Sequence, residues 1–452
     1  MDWLGRWAKR IDLELDHTKI DADLSDFPGM VKVSIASGIS AADISAVFDE
    51  LGSDANRKKI AITAGDGVTE RYIEIEKFDY ANEVAWFHVR VPAGSSSANT
   101  PLFLYYDSDH ADNDAYVGDT NSVVAESVWD ANFKAVYHMA DGADTSHIYD
   151  STSNDDDGTK KGANEPNQVA GDVGYTQDYD GTDDTLKATL ANFPTQPLTV
   201  EAVIKSSNTV GVRRVHTTGY SRWNMRVDGG NLTVQFYNGT SWITTSKAAA
   251  VVAGNRYHIV ATKDNTDGVI VYKQGVSVQT NTTAGAKLTV AHVSRISRIG
   301  ANENATGNWN YFYAGDIDEV RISDIARSAS WIKATKESLW DNLVTFGSEQ
   351  LFAMFGQPSG SGVGLAEMTA SLDVLGAAAS GSGIGEGALQ AYLEVLAMAD
   401  GHGVGEGNIL KAIRLVLNIR RPSAGYGLGR AKSAPYNLGT MQDNYTLGKK
   451  RR

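Results

Sequence analysis

The sequence predicts an all-β protein, in which two antiparallel β-sandwich (jelly-roll) domains are followed by a glycine-rich β-repeat assembly segment. Three observations predict this fold class. Short apolar segments with period-two alternation recur between residues 9 and 347, two-residue turn signals join several of them, and glycine triplets recur near the end of the chain. Such alternation is typical of half-buried antiparallel strands, and 452 residues exceed one ordinary domain.

The first domain is assigned to residues 1–124. Six alternating segments lie between residues 9 and 107, where clusters of Gly, Asp, Asn and Pro separate them. The segments are RIDLEL, MVKVSIA, KKIAITA, RYIEIEKF, VAWFHVRV and PLFLYY. Each is expected to form a strand that turns one face into a sandwich core.

The second domain is assigned to residues 125–349, because a polar, acidic stretch gives way to an apolar series at Trp129 and Phe133. Asp228-Gly229 and Asn238-Gly239 are the turn signals of two-residue hairpins. A second, larger sandwich is therefore expected. Its strand candidates are LTVEAVIKS, WNMRVDG, NLTVQFYNG, RYHIVATKD, GVIVYKQG, RISRIGA and GDIDEVRIS.

The third segment, residues 350–452, repeats with a period of about 20 residues. Glycines recur in triplets, of which one is Gly381, Gly383 and Gly385. The apolar stretches between them fit both strand alternation and helical spacing. Strands are favoured, because isolated helices of this length are marginal.

Assembly with other subunits is the role expected of this third segment. Apolar strands between glycine bends have unpaired edges, and such edges pair with partner strands. The residues assigned to assembly are Gly381, Gly383, Gly385, Leu393 and Ile413. A homo-oligomer is expected. The alternative is a flexible tether, which the regular apolar residues argue against.

Composition excludes several classes of partner and chemistry. The net charge of −14 disfavours general binding to nucleic acid, and the absence of cysteine removes disulfides and thiol catalysis. The stretch MDWLGRWAKRIDLEL lacks the apolar centre of a secretion signal, and the sequence contains no apolar run long enough to span a membrane. Neither export nor membrane insertion is expected.

Residues 125–335 resemble the laminin-G-like branch of the concanavalin A-like lectin and glucanase jelly rolls. The resemblance rests on AVYHM, YDSTSNDDDGT, QDYDGTDDTL, LTVEAVIKS, RYHIVATKD, VIVYKQG and YAGDIDEVRISDIARSASWI. The last of these is similar to the closing strand of the family and the short helix after it. The first domain resembles a family of uncharacterised β-sandwich domains found directly before laminin-G-like domains. The third segment is similar in style to glycine-rich repeats of tailed-bacteriophage structural proteins.

Calcium is the one cofactor considered, on the basis of two acidic stretches. The candidate ligands are Asp150 in DSTSNDDDG, with Asp178 and Asp180 in DYDGTDD. Calcium binds several carboxylate and carbonyl oxygens on irregular loops, which both stretches offer. The alternative is that these aspartates are turn residues, since Asp bonds readily to nearby backbone.

Carbohydrate binding is the second candidate activity, because aromatic faces beside amides suit saccharide rings. The candidate contacts are Trp309, Trp242, Asn302 and Asn304. Trp309 and Trp242 are expected to be exposed. Aromatic residues at alternating positions are more often core, so Tyr311 or Tyr313 is expected to be buried.

Catalysis is not expected, so the chain is interpreted as a non-enzyme. Glu74 and Glu76 share a strand face at a spacing that permits a glycosidase pair, but they lie outside the lectin-like domain. The stretch DIDE at residues 316–319 has a superficial likeness to the glucanase motif, but it occupies the closing strand.

Together, the three resemblances imply a virion structural protein of a tailed phage, assembled in the host cytoplasm and trimeric, because phage fibres are often trimers. Its expected partners are further copies of itself, other virion proteins and a host-surface glycan. A tail fibre, tail tip or capsid decoration would each fit. The alternatives are a bacterial surface adhesin and the carbohydrate-binding module of a glycosidase, both disfavoured by the missing export signal.

Overall fold

The computed structural model describes residues 3–190, 197–218, 223–238, 240–266, 268–282, 296–303, 307–352, 392–394 and 414–416. Contacts divide the chain into two compact units, Met1–Gln357 and Pro358–Arg452. The all-β prediction is confirmed, because strands in antiparallel sheets account for most of the regular structure. Among the described residues, no helix is long and apolar enough to span a membrane.

Eight strands and two short helices come from the first part of the first unit. The strands are β1 (Lys9–Leu15), β2 (Leu24–Val33), β3 (Ile60–Ala64), β4 (Glu70–Arg71), β5 (Ile73–Asp79), β6 (Val84–Gly94), β7 (Thr100–Tyr106) and β8 (Val117–Asp119). The helices are α1 (Ala46–Leu51) and α2 (Val123–Glu126). Every segment predicted from alternation between residues 9 and 107 overlaps one of these strands. In β1, for example, Ile11, Leu13 and Leu15 are buried.

The remaining strands of this unit follow in chain order. They are β9 (Phe133–Tyr137), β10 (His147–Ile148), β11 (Gly158–Lys160), β12 (Asn167–Ala170), β13 (Tyr175–Asp180), β14 (Leu186–Thr189), β15 (Leu198–Ser206), β16 (Val212–Thr218), β17 (Trp223–Asp228), β18 (Asn231–Tyr237), β19 (Trp242–Lys247), β20 (Arg256–Lys263), β21 (Val269–Lys273), β22 (Val276–Asn281), β23 (Ile296–Ile299), β24 (Asn302–Glu303), β25 (Trp309–Asn310), β26 (Ala314–Ser323) and β27 (Val344–Leu351). Helix α3 (Ala329–Leu339) lies between β26 and β27.

Four sheets form two sandwiches, each around its own apolar core. The first sandwich packs the sheet β27-β1-β7-β3-β4 on the sheet β2-β6-β5-β8. The second packs β10-β11-β14-β23-β16-β17-β18-β19 on β12-β13-β26-β15-β20-β21-β22, with β9 also paired to β26. Ile317, Val320 and Ile322 of β26 are buried, as a closing strand requires.

A two-residue turn joins β17 to β18, as the Asp228-Gly229 signal predicts. Asp228 pairs with Asn231, and the two glycines between them have φ of 58° and 82°. Positive φ at both positions is the type I′ geometry that matches strand twist, so this hairpin is set by local sequence.

The first sandwich is completed by residues that follow the second one. Strand β27 pairs antiparallel with β1, from Lys9 opposite Leu351 to Leu15 opposite Val344. Helix α3 packs on β2, where Ser338 Oγ lies 2.6 Å from the Met30 nitrogen. The boundary near residue 125 stays a prediction, but the chain crosses between the sandwiches twice.

The second unit contains one described pair of strands, β28 (Tyr392–Glu394) and β29 (Arg414–Val416). They are antiparallel, with Leu393 opposite Leu415, which favours strands over helices at these two positions. The other predicted assembly residues, Gly381, Gly383, Gly385 and Ile413, lie outside the described residues.

Candidate functional site

A cleft of about 410 Å³ opens on the second sandwich beside the ribbon β24–β25. Its lining combines aromatic rings with hydroxyl, ammonium and carboxylate groups. The lining residues are Thr159, Lys160, Lys161, Asp183, Thr185, Lys187, Trp309 and Phe312. We call this the Trp309 cleft. Aromatic surface beside a few polar groups is typical of small-ligand sites.

The charged side chains of the Trp309 cleft differ in whether they already have a partner within the protein. Lys160 is buried, where it bonds to Asp141 and to the Pro166 carbonyl oxygen, 2.9 Å away. Lys161 pairs with Asp183 at the surface. The side chain of Lys187 is exposed and makes no hydrogen bond or ion pair with the part of the chain that the structure describes. Its ammonium group therefore remains accessible to a ligand.

The ribbon β24–β25 holds Trp309 half-buried at the cleft. Trp309 lies opposite Glu303, and the Arg298 guanidinium lies 5.8 Å from the Trp309 ring centroid. Arg298 Nε in turn donates to Glu303 Oε2 at 2.8 Å. Asn302 is buried and donates from Nδ2 to Asn310 Oδ1 at 2.9 Å, so it stabilises the ribbon and does not line the cleft.

The other predicted carbohydrate contacts lie elsewhere. Trp242 is 46% exposed, and its ring centroid lies 5.4 Å from that of Tyr237. It belongs to β19, one edge strand of the sheet that has β10 as its other edge strand and β11 next to β10. Asn304 lies outside the described residues. Tyr313 is fully buried and Tyr311 is 47% exposed, which confirms that one of the two tyrosines belongs to the core.

Asp150 is fully buried and engaged by its own chain. Its carboxylate accepts from the backbone nitrogens of Val136, Thr152 and Asp156, and from the Thr152 hydroxyl at 2.9 Å. Burial raises the pKa of Asp150 to about 7 against the effect of these bonds. These contacts are those of a turn residue.

The second acidic stretch lies at the surface. Asp178 is exposed on β13, and Asp180 accepts from the Thr182 nitrogen at 2.7 Å. Asp180, Asp183 and Asp184 place carboxylate oxygens within 4.8 Å of one another. Neither Asp150 nor Asp178 belongs to this group, and calcium binding stays a prediction.

A different group of polar side chains is buried between the two sandwiches, where two β-bulges place its carboxylates. The register of β5 against β6 shifts between Ile75 and Lys77, which leaves Glu76 as an extra residue. The register of β26 shifts opposite residues 201–203 of β15, and Glu319 in this bulge has φ of 49°. A bulge re-aims a side chain that regular pleating would place elsewhere.

We define the His–Glu cluster as Glu76, His88, His138 and Glu319. Glu76 and His88 come from the first sandwich, whereas His138 and Glu319 come from the second. One nitrogen or oxygen from each lies within 4.8 Å of the others, and all four side chains are buried. Four separate segments of the chain must therefore fold together before the cluster exists.

Short contacts link the members of the cluster. His88 Nε2 lies 2.8 Å from Glu76 Oε2, and His138 Nδ1 lies 2.6 Å from Glu319 Oε1 and 3.7 Å from Glu76 Oε2. The two imidazole rings stack with centroids 4.3 Å apart. Arg321 donates from Nε to Glu319 Oε2 at 3.0 Å.

Glu74 borders the cluster and is fixed by three donors. It accepts from Thr120 Oγ1 at 2.8 Å, from Trp129 Nε1 at 2.6 Å and from Ser151 Oγ at 2.7 Å. Glu74 Oε2 also lies 3.5 Å from His138 Nε2. Glu74 and Glu76 thus both lie beside the imidazole of His138, Glu76 by way of the bulge in β5.

Burial and the neighbouring charges shift the pKa values of the cluster members in opposite directions. Burial, helped by the Glu319 charge, raises the pKa of Glu76, and burial beside His138 lowers the pKa of His88 well below its usual value. Burial opposes ionisation of Glu319 and His138, but their mutual attraction prevails. The pKa of Glu319 is lowered, and the pKa of His138 is raised well above its usual value.

Sequence reasoning missed this cluster because its members come from both predicted domains. The available signal was polar residues inside otherwise apolar strand segments, namely IEIEKF, VAWFHVRV, AVYHM and GDIDEVRI. A carboxylate or imidazole in such a segment must find a partner when it is buried. The sequence does not say that the partners lie in the other sandwich.

Comparisons with known proteins bear on the second sandwich. Residues 180–333 match the Laminin_G_3 family, described as the concanavalin A-like lectin/glucanases superfamily. No curated protein matches the chain at a significant level.

Similar solved structures are binding domains of botulinum neurotoxins. The receptor-binding domain of mosaic serotype C/D is 12% identical with a TM-score of 0.37, and the match covers 47% of this chain and 54% of that one. The serotype D ligand-binding domain, solved with N-acetylneuraminic acid, is 13% identical with a TM-score of 0.36 and the same coverage. The chain thus spans about half the length of these structures. The stretch of this chain that matches the concanavalin A-like lectin/glucanases superfamily, residues 180–333, lies in the second sandwich.

Proposed function

We propose that this chain is a structural protein of a tailed-phage virion that binds a host-surface glycan in the Trp309 cleft. The observation that carries the glycan proposal is the half-buried indole of Trp309 beside the hydroxyl and ammonium groups of the cleft. Sugar rings present apolar C–H faces and polar rims, so they are complementary to such a lining. The superfamily match supports the same activity.

The proposed activity is binding without catalysis. Glycoside hydrolysis uses two carboxyl groups that flank the scissile bond. Among the described residues that line the Trp309 cleft, Asp183 is the one carboxylate, and it pairs with Lys161. Incubation with the bound polysaccharide is therefore expected to release no reducing ends. Release of reducing ends by the purified chain would contradict this part of the proposal.

The virion assignment rests on the order of the segments and on the glycine repeats of residues 350–452. An antibody against residues 1–357 is expected to label purified phage particles in immunogold microscopy. Label on the cell envelope instead would favour the adhesin alternative. The full chain is expected to be an oligomer by light scattering, and a chain that ends at Gln357 a monomer. Equal masses per chain in the two samples would contradict the assembly role.

The glycan proposal is tested by titrating the full chain with hits from a panel of bacterial surface polysaccharides. Trp309→Ala removes the aromatic surface, and a central aromatic contact contributes about 2 kcal/mol, which corresponds to a roughly 30-fold weaker affinity. Trp242→Ala is the matched control and is expected to bind as the wild type does. The proposal fails if no glycan binds, or if Trp309→Ala binds as tightly as the wild type.

A further inference from the structure

We propose that the His–Glu cluster is a structural site for a divalent metal of the zinc type, which joins the two sandwiches. This inference is independent of the glycan proposal, because none of its residues lines the Trp309 cleft. It rests on the donor set, on buried atoms that have no partner, and on the groups around the cluster.

The donor set and spacing suit a four-coordinate ion. Metal bonds of about 2.0–2.1 Å to nitrogen and oxygen place tetrahedral ligand atoms roughly 3.4 Å apart. The measured nitrogen–oxygen separations are 2.6, 2.8 and 3.7 Å, which lie on both sides of that value. Small side-chain rotations would therefore complete the coordination shell.

Hydrogen bonds within the cluster do not satisfy its polar atoms. Glu76 Oε1, His88 Nδ1 and His138 Nε2 are buried and have no hydrogen-bond partner among the described residues. Buried polar atoms in native proteins are nearly always paired, so three unpaired atoms on the side chains of one cluster call for a partner that the described residues do not supply. A cation accepts lone pairs from carboxylate and imidazole without requiring a hydrogen.

The surroundings resemble the outer shell of a metal site. Ligating histidines commonly direct their second nitrogen at a carboxylate, and His138 Nε2 lies 3.5 Å from Glu74 Oε2. Ligating carboxylates are themselves hydrogen-bonded, as Glu319 is by Arg321. In the metal-bound form, in which both imidazoles are neutral and the proton of His138 has left, Glu74, Glu76 and Glu319 would carry three negative charges against one positive charge on Arg321. A divalent cation with two neutral imidazoles would balance that charge.

The chemistry of the donors selects the metal class. Calcium and magnesium prefer sites made of oxygen alone, whereas two imidazoles and two carboxylates suit zinc. Four protein ligands leave no open position, which is the arrangement of a structural site. Because each sandwich supplies one imidazole and one carboxylate, the ion would stabilise their junction.

The test uses the tag-free full chain, which is stripped with a chelator, loaded with zinc and then dialysed against zinc-free buffer. One zinc per chain is expected to survive dialysis and to raise Tm, and cobalt is expected to give the visible absorption of a tetrahedral site. His88→Gln and His138→Gln are expected to lose the metal. His216→Gln, at another buried histidine, and Asp180→Asn, in the surface acidic group, are the controls and are expected to keep it.

Two results would overturn the proposal. One is a folded wild-type chain that retains no zinc after dialysis. The other is stoichiometric zinc in a folded His88→Gln or His138→Gln variant. If neither variant folds, X-ray absorption of the zinc-loaded wild type decides, because a shell without imidazole scattering refutes the assignment and one with two imidazoles supports it.

Discussion

Trp331 joins the two sandwiches, and Trp331→Ala is expected to destabilise both of them. Its indole is 6% exposed in the core of the first sandwich, where it meets Phe27 edge-to-face at a centroid distance of 5.1 Å. It is carried by helix α3, which follows the closing strand of the second sandwich. The Arg327 guanidinium lies 4.1 Å from the same ring and pairs with Asp130 at 2.7 Å.

The expected loss for Trp331→Ala is about 4 kcal/mol of unfolding free energy. Truncation of a buried aromatic side chain to alanine costs about 3–5 kcal/mol, which includes the cavity it leaves. Lys333→Ala on the same helix is the matched control, because its ion pair with Asp21 is at the surface and contributes less than about 1 kcal/mol.

The assay monitors urea unfolding by hydrogen exchange. Protection from exchange is measured separately for peptides from β5 in the first sandwich and from β15 in the second. If the sandwiches form one cooperative unit, both peptides should lose protection by the same free energy. Loss confined to β5, with wild-type protection in β15, would refute this reasoning. A Lys333→Ala variant as unstable as Trp331→Ala would also refute it.

Two further predictions concern the second sandwich. Burial lowers the pKa of His216 to about 3, so below pH 6.5 the unfolded chain binds a proton that the native state excludes. Between pH 8 and pH 5 the unfolding free energy of the wild type should therefore fall by about 2 kcal/mol, whereas that of His216→Gln should not show this loss. Urea unfolding at several pH values measures both. An equal pH dependence of the unfolding free energy in the two proteins would contradict the prediction. At Gly315, with φ of 116°, an added Cβ would lie 2.2 Å from the Lys205 carbonyl oxygen. Gly315→Ala should cost at least about 3 kcal/mol in thermal unfolding, against about 1 kcal/mol for the open Gly211→Ala.

The sandwich strands were predictable because each buries one face, so the sequence alternates. LTVEAVIKS and β15 (Leu198–Ser206) coincide, and the Asp228-Gly229 turn lies where its sequence places it. Strand β27 lacked such a signal. It lies at a sheet edge, where most of its side chains from Thr345 to Leu351 are at least partly exposed, and a polar edge strand does not alternate.

The candidate sites were predictable only in part. The sequence around Trp309 is polar, so few apolar neighbours are available to bury its ring. Trp309 accordingly lines a cleft. The His–Glu cluster depends on bulges at Glu76 and Glu319, each of which inserts a residue and breaks the period-two pattern from which faces are inferred. It also depends on the packing of one sandwich on the other, which no local pattern encodes.

The pairing of β1 with β27 has a consequence for biosynthesis. A ribosome makes the chain from its amino end, so β1 can pair with β7 early but waits for its second partner, β27, until more than three hundred further residues have been translated. The N-terminal sheet cannot be finished before the lectin-like sandwich emerges, although domains usually fold one after another during translation. A gene fragment cut near codon 125 would therefore express an N-terminal sandwich with a permanently open edge, prone to aggregation.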